Sequence, residues 1–182
     1  VPAGADWLTV VNYYRSMAGV SPVVEDPAWS AGALAHSRYM VRNGVVAHDE
    51  VDGATAWTPE GDAAGNAGNV AVHSSASTTA RTHIEQWMAG PFHAIGVLRP
   101  ALRSTGFGQF TDPAAATWRS AATLDVTRGV EAALRELASK TYRLAPPHDD
   151  ALHTAEMAPL FLIHTANLYL RPGGTLAGIL PR

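Results

Sequence analysis

The chain has 182 residues, of which 47% are apolar, with a net charge of −3 and no cysteine. That length fits one domain, or one domain with an appendage, and can bury about two thirds of its unfolded surface without covalent staples. The charge argues against the clustered basic face of a nucleic-acid binder, the absence of a long apolar run excludes a spanning helix, and the missing cysteine excludes disulfides and thiolate metal sites.

The sequence opens at Val1 with neither Met nor an apolar leader core, which suggests a removed leader or a trimmed sequence. Asp6 is a good N-cap for a first helix over 7–18, with Gly19 as its stop. Trp7, Val10, Val11, Tyr14, Met17 and Ala18 recur at helical spacing, while Leu8, Asn12 and Arg15 share another face. Asp26 caps a second helix and Pro27 occupies its first turn; it runs to about residue 42 and ends at Asn43-Gly44. Its stripes, Trp29, Ala33, His36 and Met40 on one side and Ala31, Leu34, Ala35 and Val41 on another, place it between layers. A lone histidine in such a stripe, here His36, is more often a hydrogen-bonded core residue than a ligand.

Residues 45–76 read as a long loop region rich in Gly and Asn, and loops of that length are unusual unless they have a job. The run is not a phosphate loop, because it lacks the Gly-Lys-Ser/Thr ending and no strong strand precedes it. A third helix is capped near Ser77 or Thr78, buries Ala80, Ile84, Trp87 and Met88, and stops at Gly90-Pro91. "STGFGQF" and "TWRSAATLDV" then read as two strands joined by a turn containing Asp112-Pro113. Gly106 and Gly108 would let something pack closely on one face.

Taken in order, "VNYYRSMAG", "DPAWSAGALAHSRYM", "NGVVAHDE", "AGNVA" and "IEQWMAGPFHAIGVLRPALRSTGFG" resemble the CAP superfamily over about residues 7–128. This is the secreted domain of cysteine-rich secretory proteins, antigen 5 and pathogenesis-related proteins, and the likeness is greatest to its bacterial branch. Each piece is weak alone; their order makes the signal specific. The resemblance implies an α/β fold, an α-β-α sandwich with a small, mainly antiparallel sheet. It also implies a cleft faced by one histidine after the second helix and another after the third, completed in most members by two glutamates.

Matched motif to motif, His48 and His93 take the two histidine positions. Two neutral imidazoles can hold a divalent ion, Zn²⁺ above all, with water or carboxylate in the remaining positions. The usual Gly-Glu-Asn-Ile-Ala segment appears here as Ala67-Gly68-Asn69-Val70-Ala71, so Gly68 stands where a glutamate is expected. Glu50 or Glu60, in the same loop region, are candidates for the missing carboxylate. Glu85 matches the other glutamate loosely and reads equally well as a solvated charge on an amphipathic helix. Asn12 and Arg15 match the family's N-x-x-R, for which a hydrogen-bonded tie to a neighbouring loop is a better reading than catalysis. Asn69 is structural or cleft-lining, and so is His36 if it is not simply core. His73 and His83 fall on a loop and on a helix flank with no function to assign. No G-x-S-x-G elbow and no H-E-x-x-H pair is present.

The resemblance divides the chain into a domain at 1–128 and a C-terminal helix-turn-strand extension at 129–182. "VEAALRELASKTYRL" reads as an amphipathic helix broken by Pro146-Pro147, followed by a helix, an Arg171-Pro172-Gly173-Gly174 turn and an apolar strand over 175–180. Unbroken apolarity is typical of a strand covered on both faces. Residues 159–182 also resemble a short piece of class I methyltransferases, but no glycine-rich loop for S-adenosylmethionine accompanies them. The apolar residues of this tail are expected to pack against the layer formed by residues 7–126. The expected function is a secreted or cell-envelope module whose His-lined cleft binds a divalent metal and a small apolar or cell-wall-related ligand. A metal-dependent hydrolase using the same cleft is the alternative, and an S-adenosylmethionine-dependent methyltransferase fragment a distant one.

Overall fold

The computed structural model describes residues 1–131. The expectations for the tail, including its helices, its strand over 175–180 and its docking, lie outside the described residues.

Helix α1 (Trp7–Met17) starts where the Asp6 side chain accepts from the Thr9 N–H, at 2.7 Å. Helix α2 (Pro27–Asn43) starts at Asp26, whose carboxylate accepts from Ala28 and Trp29, and ends at Gly44 with φ 66°. Between them runs β1 (Val24–Glu25), a two-residue strand parallel to β3 (Ser104–Thr105). The main sheet is antiparallel, in the order β2 (Gly68–His73), β5 (Ser120–Asp125), β4 (Phe107–Thr111). Phe107 lies opposite Leu124 and Gly68 opposite Asp125.

Alternation along the strands decides what each face of the sheet meets. Ala71, Ala122, Leu124 and Phe107 pack with Val10 and Val11 of α1 and with Ile84 and Trp87 of α4 (Ala80–Ala89). Ala121, Val70, Val72 and Phe110 pack with Tyr39, Met40 and Val41 of α2. The result is helices, sheet, helix: the α-β-α sandwich. Side chains such as Ile84, Met40 and Leu124 are at most 1% exposed, and burying each contributes roughly 1.5–3 kcal/mol.

The close fit of α2 on β4 depends on Gly108. A Cβ there would run into the backbone of Leu34 and Ala33, so no larger residue is compatible with this helix-sheet distance. Ser37 exploits the closeness, its hydroxyl lying 2.8 Å from the Gly108 carbonyl and 3.1 Å from Thr123 Oγ1.

Three departures from the sequence reading concern the middle of the chain. The region 45–76 is not one long loop: it contains α3 (Pro59–Ala67), capped by Thr58, and strand β2. The predicted strand over "STGFGQF" is broken at Gly106 into β3 and β4, because β3 pairs with β1 and β4 with β5. A further short helix, α5 (Pro91–Val97), follows α4, whose cap is Thr79. Residues 129–131 are bonded to the loop before β3. Arg103 N donates to Gly129 O at 2.9 Å, and Glu131 N to Ala101 O at 2.9 Å.

Candidate functional site

After Gly44 the chain doubles back along α2, and His36 holds it there. His36 is fully buried, with Nε2 2.8 Å from the Ala47 carbonyl and Nδ1 3.0 Å from Glu50 Oε1. A carbonyl only accepts, so Nε2 carries a proton, and the contact with Glu50 needs a second proton on the ring-carboxylate pair. The other carboxylate oxygen of Glu50 accepts from Thr58 N–H at 3.0 Å, and its own N–H donates to Asp62 Oδ1 at 2.8 Å. Glu50 therefore clamps α2, the loop and the start of α3 together. Its carboxylate is 0% exposed and is directed inward, not towards the surface that carries His48.

The last turn of α3 lies against this clamp through Gly65. A Cβ at that position would stand 2.6 Å from His36 Nδ1 and closer still to the His48 carbonyl. The same residue holds the first candidate histidine. His48 Nδ1–H donates to the Gly65 carbonyl at 2.8 Å, which leaves the lone pair on Nε2 of an exposed ring. Four positions on, Asn69 in β2 is buried and donates from Nδ2 to the His93 carbonyl at 3.0 Å. His93 itself is exposed, in the first turn of α5. The two candidate histidines are thus fastened to one segment, 65–69, one by its ring and the other by its main chain.

The carboxylates are not gathered in the same way. Glu60 is exposed in the first turn of α3. Glu85 is paired on its own helix with Arg81 at 2.7 Å, and the Tyr14 phenol is pushed up by burial first and by the Glu85 charge second. Among the described residues, no three His, Asp or Glu side chains converge as a ready-made metal cage. Gly68 explains part of this. It is the C-cap of α3, and a Cβ there would stand 2.8 Å from the Leu124 carbonyl and 2.9 Å from that of Ala64. The position faces packed backbone. Gly68→Glu is accordingly expected to cost about 1–3 kcal/mol by overpacking and to add nothing to metal affinity. Urea unfolding, with and without Zn²⁺, measures both; unchanged stability with tighter Zn²⁺ binding would refute it.

Asn12 and Arg15 lie away from this surface. Asn12 exchanges two hydrogen bonds with the Val23 backbone, at 3.0 and 2.8 Å. Arg15 is 0% exposed and donates to the carbonyls of Ser21, Val97, Arg99 and Leu102 at 2.7–3.1 Å. Burial, with Arg103 nearby, pulls its guanidinium down to about 10, so it remains charged at neutral pH. A groove of about 380 Å³ runs along the outer face of α2 between Leu34, Arg38, Ala56 and Phe110, and neither His48 nor His93 lines it.

Two histidines are placed otherwise than the sequence suggests. His73 ends β2, and His83 is fully buried on the inward face of α4. The signal was available: position 83 lies three after Ala80 and four before Trp87, within the buried stripe of that helix.

A model of the cysteine-rich secretory protein family, CAP, matches residues 8–118. Among solved structures, an extracellular protein containing an SCP domain from Bacillus anthracis str. Ames is similar, with a TM-score of 0.51 and 18% identity. The match covers 67% of this chain and 39% of that one, and at such identity it speaks to the fold alone. No curated protein matches the chain.

Proposed function

The chain belongs to the cysteine-rich secretory protein (CAP) family, and on that premise we propose that it is an extracytoplasmic binding module whose His48/His93 surface takes a divalent cation and a small apolar ligand. The observation that carries the reading is the shared anchorage of the two histidines on segment 65–69. Apolar side chains stand in water beside both of them in the chain. Val46 is 54%, Val51 68% and Phe92 78% exposed, an arrangement that suits an apolar ligand over the imidazoles. The extracellular origin of the SCP-containing neighbour agrees with a place outside the cytoplasm.

Exposed neutral imidazoles suit a borderline cation such as Zn²⁺, which would offer its open positions to a ligand oxygen. His48 fits this role with Nε2, since Gly65 fixes the proton on Nδ1. Because Glu50 is engaged elsewhere and Gly68 has no side chain, water completes the sphere and binding is weak. Zn²⁺ at about a hundred times its dissociation constant should raise the stability of the full chain by about 2.7 kcal/mol. The gain in melting temperature should fall by more than half in His48→Ala and in His93→Ala. Equal gains in all three proteins would overturn the reading.

A further inference from the structure

A second pair of imidazoles lies where the end of β2 meets α4. The His73 and His83 rings lie 4.9 Å apart, centre to centre, and are inclined at 73°. Two imidazoles that share one ion through bonds of about 2.0–2.1 Å, meeting near the tetrahedral angle, have ring centres about 5 Å apart. In each ring, Nε2 is held by a polar partner: Gln86 Oε1 at 2.7 Å for His73 and Ser120 Oγ at 3.0 Å for His83. An amide oxygen only accepts, so His73 carries its proton on Nε2 and its lone pair on Nδ1. Ser120 Oγ receives an N–H from Gln109 at 3.1 Å and can also accept from His83 Nε2–H. That tautomer leaves a lone pair on His83 Nδ1, a buried atom without a hydrogen-bond partner. Buried polar atoms are normally satisfied, so an orphan of this kind asks for a reason.

We propose that His73 and His83 form a two-imidazole site for a late first-row divalent cation, bound through the Nδ1 atoms. Gln86 and Ser120 orient the rings through Nε2, as hydrogen-bond partners behind metal-bound histidines do. The half-buried His73, at the end of β2, provides the side open to water, and water fills the remaining positions. Burial, with a smaller contribution from His73, holds His83 down to about 4, so its lone pair is available at neutral pH. Imidazole pairs of this kind favour Cu²⁺ over the earlier metals of the row.

Trp87 reports on the site, its ring centre lying 6.4 Å from that of His83, within range of quenching by a paramagnetic ion. The experiment titrates Cu²⁺ into the full chain carrying His48→Ala and His93→Ala, reading tryptophan fluorescence and the electron paramagnetic resonance signature of coordinated nitrogen. Saturable quenching at one equivalent, with two imidazole nitrogens, is expected. Adding His73→Gln should raise the midpoint at least tenfold. His83→Gln should do the same, although His73→Gln, in the more exposed position, is the decisive variant should His83→Gln not fold. An unchanged midpoint in His73→Gln overturns the site. So does quenching that disappears with His48 and His93, an outcome that would instead strengthen the reading of the other surface.

Discussion

Arg15→Met is expected to lower the unfolding free energy by about 3–5 kcal/mol, the loss typical when one partner is removed from a buried charged network. The guanidinium is fully buried and spans four carbonyls, those of Ser21, Val97, Arg99 and Leu102. Methionine fills much of the volume but donates nothing, so the Ser21, Val97 and Leu102 carbonyls lose the guanidinium, while that of Arg99 keeps only the Leu102 N–H. A hydrogen bond to a charged group contributes about 1.5–3 kcal/mol. The expected loss is smaller than four such bonds together because the variant is relieved of desolvating a cation. Arg15→Lys restores the charge, but its donors sit on a single nitrogen and cannot reach both ends of the fork, so it should recover less than half of the loss. Urea unfolding of the full chain at pH 7, followed by tryptophan fluorescence, gives both values. A Met variant within about 1 kcal/mol of wild type would mean that the carbonyls find other donors.

Acidification is expected to expose His83 in a different way. The imidazole is neutral in the fold, held down to about 4 by burial, against an ordinary value of 6.5 in the unfolded chain. Above pH 6.5 both states are neutral and the residue contributes no pH dependence. Between 6.5 and 4 the unfolded chain takes up a proton that the fold refuses, so stability falls as pH falls. The slope approaches 1.4 kcal/mol per pH unit, for a total of roughly 3 kcal/mol by pH 4. His83→Gln cannot titrate. The gap in urea midpoint between wild type and variant should therefore shift against wild type as pH drops from 7 to 4.5. Parallel pH profiles for the two proteins would show that another group governs the acid transition.

The features legible in the chain are those that act over a short range. Asp6, Asp26 with Pro27, and Gly44 each act within one turn of their own helix, so the bounds of α1 and α2 could be read from caps and periodicity. The two strands around Asp112-Pro113 were legible for the same reason. His48 and His93 could be named as candidates because the resemblance rests on ordered local motifs. The tertiary structure alone decided α3. Its glycines weaken a helix viewed in isolation, yet Gly61 and Gly65 are what allow it to lie against Glu50 and His36. The same holds for direction. Glu50 stands two residues from His48 yet turns its carboxylate into the molecule, because His36 and the Thr58 N–H wait for it there. His83 and Arg15 are polar residues on amphipathic helices, and their burial follows from the layer each helix meets. A side chain's type is written in the chain, but its surroundings come from elements distant in sequence, as Arg15 and Leu102 show.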